Sequence, residues 1–259
     1  MPANRPPGID RSGAFEIVGV DGGELWVRPG DRAWAAAALE DTGSLYRSAR
    51  ESPGARPIGG RGPALMVLTA EGPRVVRPYL RGGWMAPLLG DRYLRVAASR
   101  PRREIVISSA LRARGIPTPE ITAAAVYPCG AFHRAELVTR YVPNSRTLAA
   151  AMENGAPRDL QEAGLTAVGS LIGQLGKAGL RHPDFHAENI LTQSVGGRSR
   201  AWVLDLDRCR IVRTRNPTTE ARILRARLLK SLAKRRRAMG RRLEAWIGVA
   251  LDRGVSQGS

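Results

Sequence analysis

Residues 182–189 read His182-Pro183-Asp184-Phe185-His186-Ala187-Glu188-Asn189 and run directly into the apolar pair Ile190-Leu191. The pattern is H-x-D-x-x-x-x-N, with an aspartate and an asparagine in a loop short enough for both side chains to face one point. A carboxylate so placed can orient or deprotonate an attacking hydroxyl, and the amide can hold a metal ion bound to nucleotide phosphates. Sixteen residues beyond Asn189, the apolar run Trp202-Val203-Leu204 ends in Asp205-Leu206-Asp207, which puts a further carboxylate where a metal aspartate belongs. Taken singly, Asp184 or Asp205 reads equally well as a turn or capping group. Taken in order, between a helix and a strand, the set reads as a phosphoryl-transfer site, with Asp184 as catalytic carboxylate and Asn189 and Asp205 as Mg²⁺ ligands. His182 and His186 stand four apart, but no third nitrogen or sulfur ligand accompanies them, which argues against an unrelated metal site.

Upstream of this loop, Leu160, Gly164, Val168, Leu171, Ile172 and Leu175 recur at spacings of three and four and write a long helix. Further back the signals change to strands: Phe15–Val20 and Glu24–Arg28, then Ala64–Thr69 and Val75–Leu80 joined by Glu71-Gly72-Pro73 as a hairpin. A helix over Arg102–Arg114 stops at Gly115, Pro117 and Pro119, and strands Ile121–Tyr127 and Phe132–Val142 follow. Residues 1–12 are rich in Pro, Arg and Gly and are expected to be disordered, while 41–63 are polar and rich in Gly and Pro. The whole reads as an α+β chain with a protein-kinase-like two-lobe fold. Residues 13–142 form a β-rich lobe that grips ATP, and 143–259 form a mainly helical lobe carrying the catalytic loop, the metal site and basic C-terminal helices.

Such a fold needs a cation on a strand to grip the nucleotide phosphates, paired with a glutamate on the following helix. The chain has only three lysines, Lys177, Lys230 and Lys234, all beyond the strands in question. Arg77, in Val75-Val76-Arg77-Pro78-Tyr79, therefore becomes the candidate, with Glu104 as its partner; arginine holds phosphate bidentately. Arg74 and Arg81 are close enough in sequence to take the same role. Gly59, Gly60 and Gly62 precede the first hairpin strand and can bring backbone N–H groups to phosphate, or serve as an ordinary flexible turn.

The balance of 41 Lys and Arg against 23 Asp and Glu, a net charge of +18, calls for an anionic partner. Aromatic residues make up only 5%, and no RRM, KH or helix-turn-helix pattern occurs, so no nucleic acid is expected. No apolar run approaches the length needed to span a bilayer. The start lacks an apolar secretory segment and the chain has two cysteines, which reads as cytoplasmic with reduced thiols. No obligate protein partner is evident. Between Arg213 and Arg242 lie twelve basic residues against one acid, Glu220, with Leu224, Leu228 and Leu232 on one stripe. This basic amphipathic helix has two readings: it lies on an anionic membrane surface, or its leucines pack on the second lobe and its arginines form a solvated face. A non-catalytic kinase-like scaffold is disfavoured because Asp184, Asn189 and Asp205 are all present. Only about ten residues separate Asp207 from the helical pattern near Thr218, too few for a peptide-binding platform, so a small or lipid-linked acceptor fits better.

On Val75-Val76-Arg77-Pro78-Tyr79-Leu80-Arg81-Gly82-Gly83, Gly90-Asp91-Arg92-Tyr93-Leu94, the Arg-rich approach to Glu104, Gly115-Ile116-Pro117-Thr118-Pro119, the 182–191 loop and Leu204-Asp205-Leu206-Asp207-Arg208, the chain resembles the lipopolysaccharide kinases over roughly residues 58–235. It looks most like the 3-deoxy-D-manno-octulosonic acid (Kdo) kinases. That family is similar in carrying Arg where protein kinases have Lys, which supports Arg77, and Asp184 matches its catalytic aspartate. The resemblance implies ATP-dependent phosphorylation of the 4-hydroxyl of Kdo on a lipid A precursor by a peripheral enzyme at the cytoplasmic face of the bacterial inner membrane. A heptose kinase of the same group is the alternative. Leu206, where Phe is usual, and the segment 1–57 depart from the pattern.

Overall fold

The computed structural model of the protein describes residues 8–9, 14–20, 23–58, 63–79, 93–94, 100–129, 132–153, 157–213, 216–240 and 243–258. The chain divides into two compact units, Met1–Ile105 with Glu120–Tyr141, and Val106–Pro119 with Val142–Ser259. The segment 106–119, read from the sequence as part of the first lobe, counts with the second because Ile107, Leu111 and Ile116 are buried in that unit's core.

The first unit is an antiparallel sheet of β1 (Gly8–Ile9), β2 (Glu16–Val20), β3 (Gly23–Val27), β4 (Arg56–Ile58), β5 (Ala64–Thr69), β6 (Gly72–Pro78), β7 (Tyr93–Leu94), β8 (Ile121–Cys129) and β9 (Phe132–Arg140). Among the described residues the order is β1-β2-β3-β8-β9-β6-β5-β4, with β7 also on β9. Successive side chains of a strand point to opposite faces, and both faces are covered. Ala123, Ala125, Val138 and Val76 pack under Ala35 and Ala38 of α1 (Arg32–Thr42) and Leu45 and Ala49 of α2 (Leu45–Glu51). Trp26, Ala124, Val126 and Leu137 face the other way, with Ile105 of α3 (Arg100–Arg112).

Neither α2 nor β4 is visible in the polar stretch 41–63. Seven residues are too few to show a helical period, and a helix that short owes its stability to tertiary contacts. Here the contacts are specific: Ser44 Oγ accepts from Arg47 N at 3.0 Å, and Glu136, at the centre of the sheet, accepts from Ser44 Oγ at 2.6 Å and Tyr46 N at 2.9 Å. Tyr127 Oη donates to the same carboxylate at 2.9 Å. Burial pushes Glu136 up from the usual carboxylate range, against the pull of these donors.

In the second unit β10 (Ser145–Thr147) leads into α4 (Leu148–Glu153), and the 20-residue α5 (Arg158–Lys177) forms the centre. The expected face of α5 is buried at Val168, Leu171, Ile172 and Leu175, whereas Leu160, assigned to the same stripe, is exposed in the first turn. The strands β12 (Ile190–Val195) and β13 (Arg198–Val203) form a hairpin on β10, closed by Gly196-Gly197 with φ of +56° and +72°, the left-handed pair that a two-residue hairpin turn demands. Strand β11 (Leu180–Arg181) pairs with β14 (Arg210–Ile211), and α6 (Pro217–Ala238) and α7 (Ala245–Gly258) complete the unit. No helix of the described residues is long and apolar enough to cross a membrane.

Helix α6 resolves the two readings of the basic C-terminal segment in part. Leu224, Leu228 and Leu232 are buried in the core of the second unit, so the leucine stripe supplies no apolar surface to a membrane. Four of its arginines are also tied to other residues of the unit: Arg225 to Asp252, Arg227 to the carbonyl of His182, Arg235 to Glu153 and Glu188, and the buried Arg236 to Glu244. Arg222, Lys230, Lys234 and Arg237 remain exposed.

Candidate functional site

The residues singled out from the sequence fall into two clusters, one in each unit. In the first, Arg77 on β6 donates through Nη2 to Glu104 Oε1 at 2.7 Å, which joins the pair expected to grip phosphate. The second carboxylate oxygen, Oε2, accepts from Tyr79 Oη at 2.5 Å. Tyr79 is only 2% exposed, and the Arg77 guanidinium sits over its ring, 5.0 Å from the centroid. Tyr79 thus orients both partners, by a hydrogen bond on one and a cation–π contact on the other. The sequence reading missed it, although the signal was there: a residue two positions from Arg77 on an extended strand shares its face.

Of the alternatives to Arg77, Arg74 is 1% exposed and spends its guanidinium on Asp31, with Nε to Oδ1 at 2.7 Å and Nη2 to Oδ2 at 3.1 Å. That pair is buried and bidentate, and it leaves Arg74 no reach to a ligand. Arg81 and the candidate phosphate-binding glycines Gly59, Gly60 and Gly62 lie outside the described residues.

The second cluster is the 182–189 loop, and its backbone is fixed from three sides. Asn189 Nδ2 donates to Asp184 O at 2.9 Å and lies 3.2 Å from His186 Nε2, so the amide nitrogen closes the loop and the amide oxygen is the end left for a cation. Asn189 O accepts from Leu204 N at 2.9 Å, which sets the loop against the strand end that carries Asp205. His182 repeats this tie: its Nε2–H donates to Leu204 O at 3.0 Å. Burial pushes the His182 imidazole below its ordinary range, so it stays neutral with the proton on Nε2. Asp205 itself has φ of +57°, a left-handed conformation that non-glycine residues adopt at some cost and that recurs at functional positions. Leu206 fills the buried place after it, 1% exposed, so the departure from Phe keeps an apolar side chain in the core.

The third side is α6. Arg227 Nη1 donates to His182 O at 2.6 Å, Ser231 Oγ accepts from Ala187 N at 3.3 Å, and Arg235 Nη1 donates to Glu188 Oε1 at 2.7 Å. These residues are four apart, one per turn on a single face. The basic helix read from sequence as a surface element therefore also braces the loop. Asp184 points its carboxylate outward, 44% exposed, with Oδ2 accepting from Arg208 Nη1 at 2.9 Å. The segment between Asp207 and α6 is short, as expected, because α6 begins at Pro217 with Asn216 Oδ1 capping Thr219 N at 3.1 Å.

A β-rich unit with an Arg–Glu pair, and a helical unit with an outward aspartate, an inward-tied asparagine and a strand-end aspartate, define a protein-kinase-like fold. The solved structure described as WaaP in complex with acyl carrier protein shares it, with a TM-score of 0.52 and 19% identity over 90% of this chain and 88% of that one. The family model for the lipopolysaccharide kinase (Kdo/WaaP) family matches residues 55–243, and the chain belongs to that family. A 3-deoxy-D-manno-octulosonic acid kinase of Xanthomonas oryzae pv. oryzae is 38% identical over 161 residues, 60% of this chain and 61% of that protein. A protein of the same name from Xanthomonas euvesicatoria pv. vesicatoria is 37% identical over 192 residues, 71% of this chain and 73% of the relative. The match thus spans about three fifths of the first relative's length and nearly three quarters of the second's.

Proposed function

We propose that the chain transfers the γ-phosphoryl group of ATP to the 4-hydroxyl of a Kdo sugar on a lipid A precursor. The observation that carries the chemistry is the Asn189 link, which ties Asp184 O and Leu204 N to one side chain and its backbone and so holds Asp184 and Asp205 in a fixed relation. The acceptor rests on the names of the relatives. Asp184 Oδ1 receives the hydrogen bond of the attacking hydroxyl and orients it. Arg77, held by Glu104 and Tyr79, grips the nucleotide phosphates. Asn189 Oδ1 and the Asp205 carboxylate suit a hard cation with oxygen ligands. Mg²⁺ bound by them supplies charge stabilisation to the phosphates.

Labelled ATP offered with a Kdo glycolipid, a heptosylated core, an aminoglycoside and a peptide separates the acceptors. Label should enter the Kdo glycolipid. Entry into the heptosylated core alone would reassign the sugar, and entry into the peptide alone would defeat the glycolipid reading. Tyr79→Phe tests the grip: it keeps the ring under Arg77 and removes the hydroxyl, and should raise the KM for ATP about tenfold. Combined with Glu104→Gln it should cost little more than Glu104→Gln alone, because the two act through one contact. An ATP dependence equal to wild type would remove Tyr79 from the grip.

The work site we infer is the cytoplasmic face of the inner membrane, where such an acceptor is embedded. With the leucine stripe buried, attraction comes from exposed basic side chains such as Arg222, Lys230, Lys234 and Arg237, each worth on the order of 1 kcal/mol near an acidic surface. Binding to acidic vesicles should therefore be abolished by salt, which shortens the Debye length to about 3 Å at 1 M. Co-sedimentation that persists in high salt, or that is equal on neutral vesicles, would count against it.

A further inference from the structure

Arg208 follows the buried Leu206 and Asp207 and turns outward, its side chain 61% exposed. Among the described residues its guanidinium has one acidic partner, Asp184, through Nη1 and Oδ2 at 2.9 Å. Both members of this ion pair are well exposed, so it adds little to stability. It also competes with any incoming hydroxyl for the carboxylate's lone pairs. Its position nonetheless leaves chemistry open: Asp184 Oδ1 stays available to a hydroxyl, and a guanidinium has five N–H donors in a rigid fork, of which the contact to Asp184 uses one. The remaining donors lie beside the place where the reacting hydroxyl must sit.

We propose that Arg208 binds an anionic group that the acceptor carries close to its reacting hydroxyl, and so selects acidic sugars over neutral ones. The proposal rests on the assignment of Asp184 to the acceptor hydroxyl. A carboxylate suits the fork, because guanidinium and carboxylate match in planar, paired hydrogen bonds. A 3-deoxy-2-ulosonic acid meets the requirement, since its carboxylate-bearing carbon and the carbon bearing the 4-hydroxyl are separated by one methylene. Asp184 and Arg208 then read the two ends of one short span, hydroxyl on the carboxylate and carboxylate on the guanidinium. A neutral heptose offers no such anion unless it is already phosphorylated.

The test is a four-way comparison of wild type and Arg208→Gln, each with a Kdo glycolipid as the free acid and as its methyl ester. Wild type should lose about 10- to 100-fold in kcat/KM on going from acid to ester, the range for a hydrogen bond to a charged group. Arg208→Gln should show a similar loss on the acid and no more than about twofold preference between acid and ester, the two changes removing one interaction. Arg208→Lys, which keeps the charge and loses the fork, should retain part of the preference. Equal use of acid and ester by wild type would overturn the proposal and leave the Kdo reading standing. So would equal losses on both acceptors in Arg208→Gln, or a raised KM for ATP with the acid preference intact, which would place Arg208 on the donor phosphate. Transfer to neither form by wild type would overturn the acceptor reading and the proposal with it.

Discussion

Asp184→Asn should lower kcat by about 10²- to 10⁴-fold, the usual contribution of a positioned acid–base group, while the protein melts close to the wild-type temperature. The change is isosteric, and the side chain it alters is 44% exposed and packs in no core. The loop conformation does not depend on that carboxylate: it is held through Asp184 O, His182 O, Ala187 N and Asn189 O, all backbone atoms. Loss of turnover with an unchanged melt is therefore the signature of chemistry and not of folding. Asn189→Ala should differ, because it removes both the loop closure and the candidate cation ligand and so lowers activity and stability together. A kcat for Asp184→Asn within a few-fold of wild type would take Asp184 out of the reaction.

The largest effect on stability is expected at Gly254 on α7. A Cβ there would lie 1.9 Å from Thr166 O and 2.8 Å from Ser170 N, backbone atoms of α5 that have no rotamer to change. Gly169 and Gly258 meet the opposite helix in the same way, so the two helices touch along a seam of hydrogen side chains. Gly254→Ala must push the helices apart, at a cost of about 3 kcal/mol or more. Gly248→Ala is the matched control on the same helix. Its nearest new neighbour would be Arg225 Nη2 at 3.5 Å, the far end of a flexible side chain. That substitution should stabilise by up to about 1 kcal/mol through helix propensity. Thermal or urea unfolding of the two variants checks both signs, and a Gly254→Ala protein as stable as wild type would mean that the α5–α7 contact is looser than described.

The parts of the site that depend on short-range spacing were legible in the sequence. Asp184, Asn189 and Asp205 sit on one loop and the end of one hairpin, and local chain geometry almost forces them together once the hairpin forms. Arg77 and Glu104 are 27 residues apart, yet a strand-then-helix order sufficed to pair them. What escaped depends on contacts distant in sequence. Helix α2 exists because Glu136, some 90 residues away, holds its first turn, and nothing in 41–63 announces that. The leucine stripe of α6 looks the same whether it faces lipid or a core; only the packing of Leu224, Leu228 and Leu232 in the second unit distinguishes them. Arg227, Ser231 and Arg235 likewise look like solvated-face residues until the 182–189 loop is seen against them. Net charge pointed to an anionic partner but could not tell which arginines were already spent on Asp31, Glu153, Glu188 and Glu244.

The central claim, that Asp184 directs phosphoryl transfer from ATP to a Kdo sugar, is tested most directly by following the label of γ-labelled ATP into a purified Kdo–lipid A precursor with Mg²⁺ present, for wild type and Asp184→Asn side by side. Wild type should place the label on the 4-hydroxyl of the sugar, and Asp184→Asn should do so at about one hundredth of that rate or less. Label that stays out of the lipid with wild type, or enters it equally fast with Asp184→Asn, would contradict the claim.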